Sequence, residues 1–180
     1  MSGIRDMAGH HIRRLNQIST AVFLDRMERE SFDITPVQYA ALATIEMQPG
    51  IDQATLAGAI AHDRATIGGV IDRLERKGLV VRRTNAKDRR AKALGLSAEG
   101  KRMLEDLRPI VLALQADILT GLDESEREQF LTLLKKLTDR GNNLSRSPLS
   151  TLPADKRARS TDSPQTGRAA DARGHPGKCR

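Results

Sequence analysis

Between about Ala8 and Glu30 the apolar positions Ile12, Leu15, Ile18, Val22 and Phe23 form a stripe with polar residues between them, the pattern of a long amphipathic helix. The stretch "DITPVQYAAL" then carries a start signal: Thr35 as N-cap, Pro36 at the first helical position, Gln38 completing a capping box, and Ile34 placed to staple onto Tyr39. A second helix to about Met47 follows, closed by "QPG". "GIDQATLAGAI" repeats the device with Asp52 as cap and predicts a short third helix to about Ala61. A fourth, capped by Asp63, places Ile67, Val70, Ile71 and Leu74 on one narrow face and stops at "RKG", where Gly78 takes the left-handed conformation.

Two short helices joined by a tight turn make a helix-turn-helix candidate. Leu79, Val80 and Val81 then open a strand, "NAKDRRA" turns, and Ala91 to Leu96 returns, a β-hairpin or wing. Ser97 caps a long helix in which Leu104, Leu107, Val111, Leu114 and Ile118 alternate steps of three and four, the seam of a helix packed on another helix, with Pro109 expected to kink it. Asp123 with Glu126 opens a last helix carrying Phe130, Leu133, Leu134 and Leu137 on one face. From Leu144 to Arg180 periodicity stops, Ser, Pro, Arg, Asp and Gly dominate, and a disordered basic tail is expected. The fold class is therefore mainly α with a small β-wing.

Composition narrows the partners. Aromatic residues are 2% of the 180, so the core is aliphatic, which suits helices. The net charge of +7 is local: ten Lys and Arg face four Asp and Glu over His62 to Lys92, and eight face three over Ser145 to Arg180, leaving the remainder acidic. A localised positive field favours nucleic acid over an acidic protein or a lipid surface. The single cysteine, Cys179, excludes an intrachain disulfide and a cysteine-rich metal cage. No apolar run approaches the roughly 20 residues that span a bilayer, and a cytoplasmic protein without a membrane partner is expected. His10 and His11 diverge on a helix and lie far from His62 and His175, so no metal site is expected; no cofactor is expected either. A phosphate loop, a nucleophile elbow and a paired acidic cluster are all lacking, which argues against an enzyme.

With the apolar stripe of the fourth helix turned to the core, Ala65, Thr66, Gly68, Gly69, Asp72, Arg73 and Arg76 face away or flank, and Arg64 lies in the first turn. Small residues with a few Arg and Thr let a helix enter the roughly 12 Å major groove and still reach base edges and phosphates. Adjacent glycines cost about 1 kcal/mol each in a helix relative to alanine, so close approach is a reason to keep them; tight helix packing is the other. A basic hairpin directly after such a helix can lay its tip in the neighbouring minor groove, whose negative potential draws arginine, with Asp88 holding an arginine in place. A solvated loop whose charges protect the hairpin edge is the alternative.

The run from "TPVQYAALATI" through "PGIDQATLAGAIAHDRATIGGVIDRLERKGLVVRRTNAKDRRAKALGLSAEG" resembles the MarR family of winged helix-turn-helix regulators, whose wing carries an Asp-x-Arg motif, here Asp88, Arg89 and Arg90. The resemblance covers roughly His10 to Asn142. It implies a domain over 1–143, with a DNA-binding lobe over about 34–97 and dimerisation helices over about 8–30 and 98–143, followed by the tail over 144–180. It also implies a homodimer that sets each fourth helix in the major groove of one half of a pseudo-palindromic operator in double-stranded DNA. Carried over by position, Arg90 is the minor-groove arginine, Asp88 its positioning partner, and Arg64, Ala65, Thr66, Gly68, Gly69 and Arg73 the groove-facing set.

Within that family, "GHHIRRLNQISTAVF" with "TPVQYAAL" is similar to the branch that senses aromatic carboxylates. The likeness implies a repressor released by a small aromatic acid, with His10, His11, Arg14, Gln17 and Tyr39 able to line the crevice: arginine for the carboxylate, histidine or tyrosine for a ring hydroxyl. For each of these residues, ordinary surface or dimer-contact polarity is the competing reading. A winged-helix protein that coats DNA without sequence preference, or that binds proteins, is the rival for the chain as a whole, and the basic tail suits the former.

Overall fold

The computed structural model describes residues 3–84 and 92–152. Among them the chain forms α1 (Ala8–Arg29), α2 (Pro36–Met47), α3 (Gln53–Ala59), α4 (Ile67–Arg76), β1 (Val80–Thr84), β2 (Lys92–Leu96), α5 (Ala98–Ile118) and α6 (Glu124–Gly141). Short 3-10 turns stand at Ile4–Asp6 and Asn142–Leu144.

The helix starts form as the sequence predicts. Thr35 Oγ1 accepts the Gln38 N–H at 3.3 Å while Gln38 Oε1 accepts the Thr35 N–H at 3.1 Å, and Pro36 opens α2. Asp52 Oδ1 accepts from both Ala54 and Thr55 N–H at 2.9 Å, Ser97 Oγ from Gly100 N–H at 2.9 Å, and Asp123 and Glu126 exchange bonds of 2.9 Å. Each cap satisfies donors that the first helical turn leaves without an internal partner.

One start differs. Asp63 was expected to cap the fourth helix with Arg64 in its first turn, yet α4 begins at Ile67. Asp63 instead nucleates a turn: its Oδ1 takes the Ala65 N–H at 2.6 Å and its carbonyl takes the Thr66 and Ile67 N–H groups at 3.2 and 3.0 Å. A short acidic side chain that bonds the backbone two residues on competes with the helix it precedes. Arg64, Ala65 and Thr66 therefore stand in the turn, and α3, ending at Ala59, is two residues shorter than expected because Ala61 turns left-handed, at φ 50°.

Ile67, Val70, Ile71 and Leu74, the predicted stripe, are all buried, against Leu42 and Ile45 of α2, Leu56 of α3, Leu79, Val80, Leu94 and Leu104 in one aliphatic core. Strands β1 and β2 pair antiparallel from Val80 opposite Leu96 to Thr84 opposite Lys92. A third segment joins them: Gly50 N–H donates to the Leu94 carbonyl at 2.8 Å and Leu94 N–H to the Ile51 carbonyl at 2.9 Å, with Asp52 bridged to Ala93. The wing is thus stitched to the start of α3.

Helix α5 runs unbroken through Pro109, the residue expected to bend it, and lies along α1, where Arg26 pairs with Asp117 at 3.0 Å. Only Phe23 and Met27 of α1 are buried and no residue of α6 is, so Ile12, Ile18, Leu133 and Leu137 stay exposed. The tail expected from Leu144 follows a defined path to Leu152, which packs against the core; residues 153–180 lie outside the described residues.

Candidate nucleic-acid interface

The α3-turn-α4 unit offers one exposed edge. Arg64, Ala65, Thr66, Gly69, Arg73 and Arg76 are exposed along it, on the side opposite the buried stripe. Arg64 and Arg73 have no ion-pair partner among the described residues, so their guanidinium groups are available to an anion. The Thr66 hydroxyl donates to the Asp63 carbonyl at 3.1 Å and lies 3.1 Å from His62 Nε2, contacts that are compatible when that nitrogen carries the hydrogen.

The adjacent glycines separate. A Cβ on Gly68 would lie 3.2 Å from Gln53 Nε2, so this glycine lets α4 approach α3, as the packing reading has it. A Cβ on Gly69 would meet nothing within 4 Å. Among the described residues no packing asks for glycine there, and the position is open to approach from outside.

A residue that sequence reasoning passed over ties this helix to the wing. Arg82 on β1 reaches back to α4, placing NH2 2.5 Å from Asp72 Oδ1 and NH1 2.5 Å from Glu75 Oε2, with its side chain 19% exposed. Its single positive charge offsets half of the negative charge that the two carboxylates on the exposed side of α4 would otherwise present to a polyanion. The sequence does hold a signal, an arginine inside a strand that follows a helix carrying Asp72 and Glu75, but the spacing of 10 residues from Asp72 matches no periodic pattern. The wing-tip residues Asp88, Arg89 and Arg90 lie outside the described residues; Arg83 and Lys92, on the strands leading to them, are exposed.

At the far end, α1, α5 and α6 surround an apolar groove of about 670 Å³ lined by Ile12, Leu15, Ile18, Leu119, Phe130, Leu133, Leu134 and Leu137, with His11 and Arg14 at its wall. Of the residues expected to hold an effector, the structure brings these last two together. His10 meets the His11 ring edge-on at 5.7 Å between centroids, Gln17 accepts from Arg13 at 3.1 Å, and Tyr39 packs on Phe23 at 6.3 Å where α1 meets α2. Among the described residues no three His, Cys, Asp or Glu are grouped to hold a metal ion, and no helix is long and apolar enough to cross a membrane.

Comparison with known proteins agrees with this geometry. The sequence model of the MarR family matches residues 34–92. The transcriptional regulator HosA of Escherichia coli is 35% identical over 134 residues, 74% of this chain and 96% of HosA. The structure of BpsR of Bordetella bronchiseptica, described as a mechanism for regulation of DNA binding by 6-hydroxynicotinic acid, superposes with a TM-score of 0.72 at 27% identity, covering 77% of this chain and 98% of BpsR. A mutant MarR of E. coli complexed with operator DNA superposes with a TM-score of 0.66 at 25% identity, covering 72% and 91%.

Proposed function

Because this chain belongs to the MarR family of transcriptional regulators, we propose that it acts as a homodimeric, sequence-specific repressor that leaves its operator when a small aromatic carboxylate binds. The observation that carries the DNA reading is Gly69: an exposed helix position left without a side chain, flanked by Arg64 and Arg73, which have no ion-pair partner among the described residues, on a helix whose other face is wholly core. The small surface lets α4 seat deeply in the major groove, with Arg73 and Thr66 within reach of base edges and Arg64 beside the backbone. Arg82 ties the first strand of the wing to that helix, and by the family resemblance Arg90 is the minor-groove arginine with Asp88 as its positioning partner, Arg89 being counted with them as a DNA contact.

Dimerisation is supported by the exposed apolar side chains of α1 and α6, which a second copy would bury. Two α4 helices set about 34 Å apart then read successive half-sites. Ile12, Ile18, Leu133 and Leu137 of that apolar surface also line the groove whose wall holds Arg14 and His11, a cation and a ring hydrogen-bonding group that match an aromatic acid held at the dimer contact, and BpsR supports that class of effector by likeness. An acid that binds better to a dimer with wrongly spaced helices, with a coupling of about 2 to 3 kcal/mol, weakens DNA binding some 30 to 150-fold.

Competitive fluorescence anisotropy near 150 mM salt tests this reading. Duplex from upstream of the protein's own gene should outcompete random duplex by roughly a thousandfold. One member of an aromatic-acid panel should release it, and Arg14→Ala should abolish that release while leaving DNA affinity intact. Equal affinity for all duplexes supports the non-specific reading instead, and binding to none supports a protein-interaction module.

A further inference from the structure

The stretch after the last helix has no helical or strand periodicity, yet it is held at defined points. The Asn142 side chain closes a loop on Leu149, donating to its carbonyl at 2.9 Å and accepting its N–H at 2.7 Å, and Ser147 N–H bonds Ser145 Oγ at 3.1 Å. Ser150 N–H then donates to the Gly58 carbonyl of α3 at 2.8 Å. This approach requires the glycine, since a Cβ on Gly58 would lie 2.8 Å from Ser150 Oγ and 3.2 Å from Ser150 Cβ. Residues 145–152 thereby form a strap across the helix-turn-helix, and Arg146, Ser147 and Pro148 of the strap face Asp63, Arg64 and Ala65 of the turn across a cleft of about 550 Å³.

We propose that this cleft is a DNA-backbone phosphate site, so that the C-terminal strap is part of the DNA-binding surface. Arg64 and Arg146 line the same space from opposite sides and neither has an ion-pair partner among the described residues. Two like charges facing one cleft favour an anion between them, and a phosphate can take charge-assisted bonds from both guanidinium groups and from the Ser147 hydroxyl. Asp63, the acidic member of the lining, has an oxygen engaged by the Ala65 N–H. The cleft adjoins the turn that leads into α4, where the backbone beside a helix seated in the major groove has to pass. About a quarter of this chain has no counterpart in HosA, which is itself matched over 96% of its length, and the sequence after Leu152 holds seven Lys and Arg against three Asp. The inference rests on the DNA-binding reading above.

Phosphate contacts are independent of base sequence, so a labelled random duplex of about 30 base pairs serves as the probe, titrated with full-length protein at several KCl concentrations. Arg146→Gln should lower the slope of log Kd against log salt by about 0.9, the loss of one phosphate contact, and weaken binding several-fold at low salt. Ser150→Pro, which removes the N–H that anchors the strap, should do the same or more, and adding Arg146→Gln to it should change little further. Unchanged slopes in both variants would overturn the site. Tighter binding by Ser150→Pro would also overturn it, making the strap an inhibitory cover. If Ser150→Pro disturbs folding, seen as a lowered melting temperature, the exposed Arg146→Gln decides alone. A wild-type chain that binds no duplex removes the parent reading, an outcome distinct from a wild type that binds with both variants equal to it.

Discussion

The guanidinium of Arg82 bridges Asp72 and Glu75, 2.5 Å from each carboxylate, and so fixes the first strand of the wing to the helix before it. Arg82→Ala should cost about 1 kcal/mol in stability, since both acidic partners are well exposed to solvent, but should weaken DNA binding by more, because it frees two negative charges on the helix proposed to face DNA and unties the wing. Arg82→Lys keeps the charge but loses the planar fork that reaches both acids, so it should fall between. Thermal melting and anisotropy on the same samples separate the two effects.

Gly69 makes stability and binding move in opposite directions. Gly69→Ala places a methyl group in open space on a helix, and should stabilise the fold by about 1 kcal/mol in urea denaturation. The same methyl stands where α4 is proposed to meet the floor of the groove, so DNA affinity should fall. A stabilised variant that binds as tightly as the wild type would remove the close-approach argument.

Gly100 behaves oppositely. A Cβ there would stand 2.1 Å from the Leu79 carbonyl oxygen, a backbone atom that also accepts the Ser97 N–H at 3.0 Å and cannot swing aside. Gly100→Ala should therefore destabilise the protein by roughly 2 to 4 kcal/mol, read as a shifted urea midpoint.

Asp52 gives a pH signature. Partial burial opposes its charge, but the hydrogen bonds from the Thr55 hydroxyl and from the Thr55, Ala54 and Asp52 N–H groups outweigh it and hold the carboxyl below its ordinary 3.8. A depressed folded pKa means that the stabilisation is fully present above 3.8 and is lost as pH falls through the lower folded value. Asp52→Ala should thus cost about 1 kcal/mol at neutral pH, and its deficit against the wild type should shrink in denaturation series taken below pH 3.8.

What the sequence made legible was local. The caps at Thr35, Asp52, Ser97 and Asp123 each depend on residues within three positions, and the stripe of Ile67, Val70, Ile71 and Leu74 depends on one helical period. The features it concealed join distant backbone or side-chain groups: Gly50 and Ile51 to Leu94, Arg82 to Asp72, Ser150 to Gly58. None leaves a periodic trace, because each is set by how the elements dock. The start of α4 lay between these cases, with Asp63 able to cap a helix or to begin a turn, and its own backbone bonds chose the turn. In the candidate site, small residues and arginines marked the exposed edge of the α3-turn-α4 unit, whereas the difference between Gly68 and Gly69 became visible only with Gln53 in place.

Selection from a pool of randomised duplexes tests the central claim most directly. The full-length protein should enrich one pseudo-palindrome whose half-sites are centred about 10 base pairs apart, as two α4 helices related by a two-fold axis require. A pool that is retained by the protein, round after round, with no sequence enriched would contradict it.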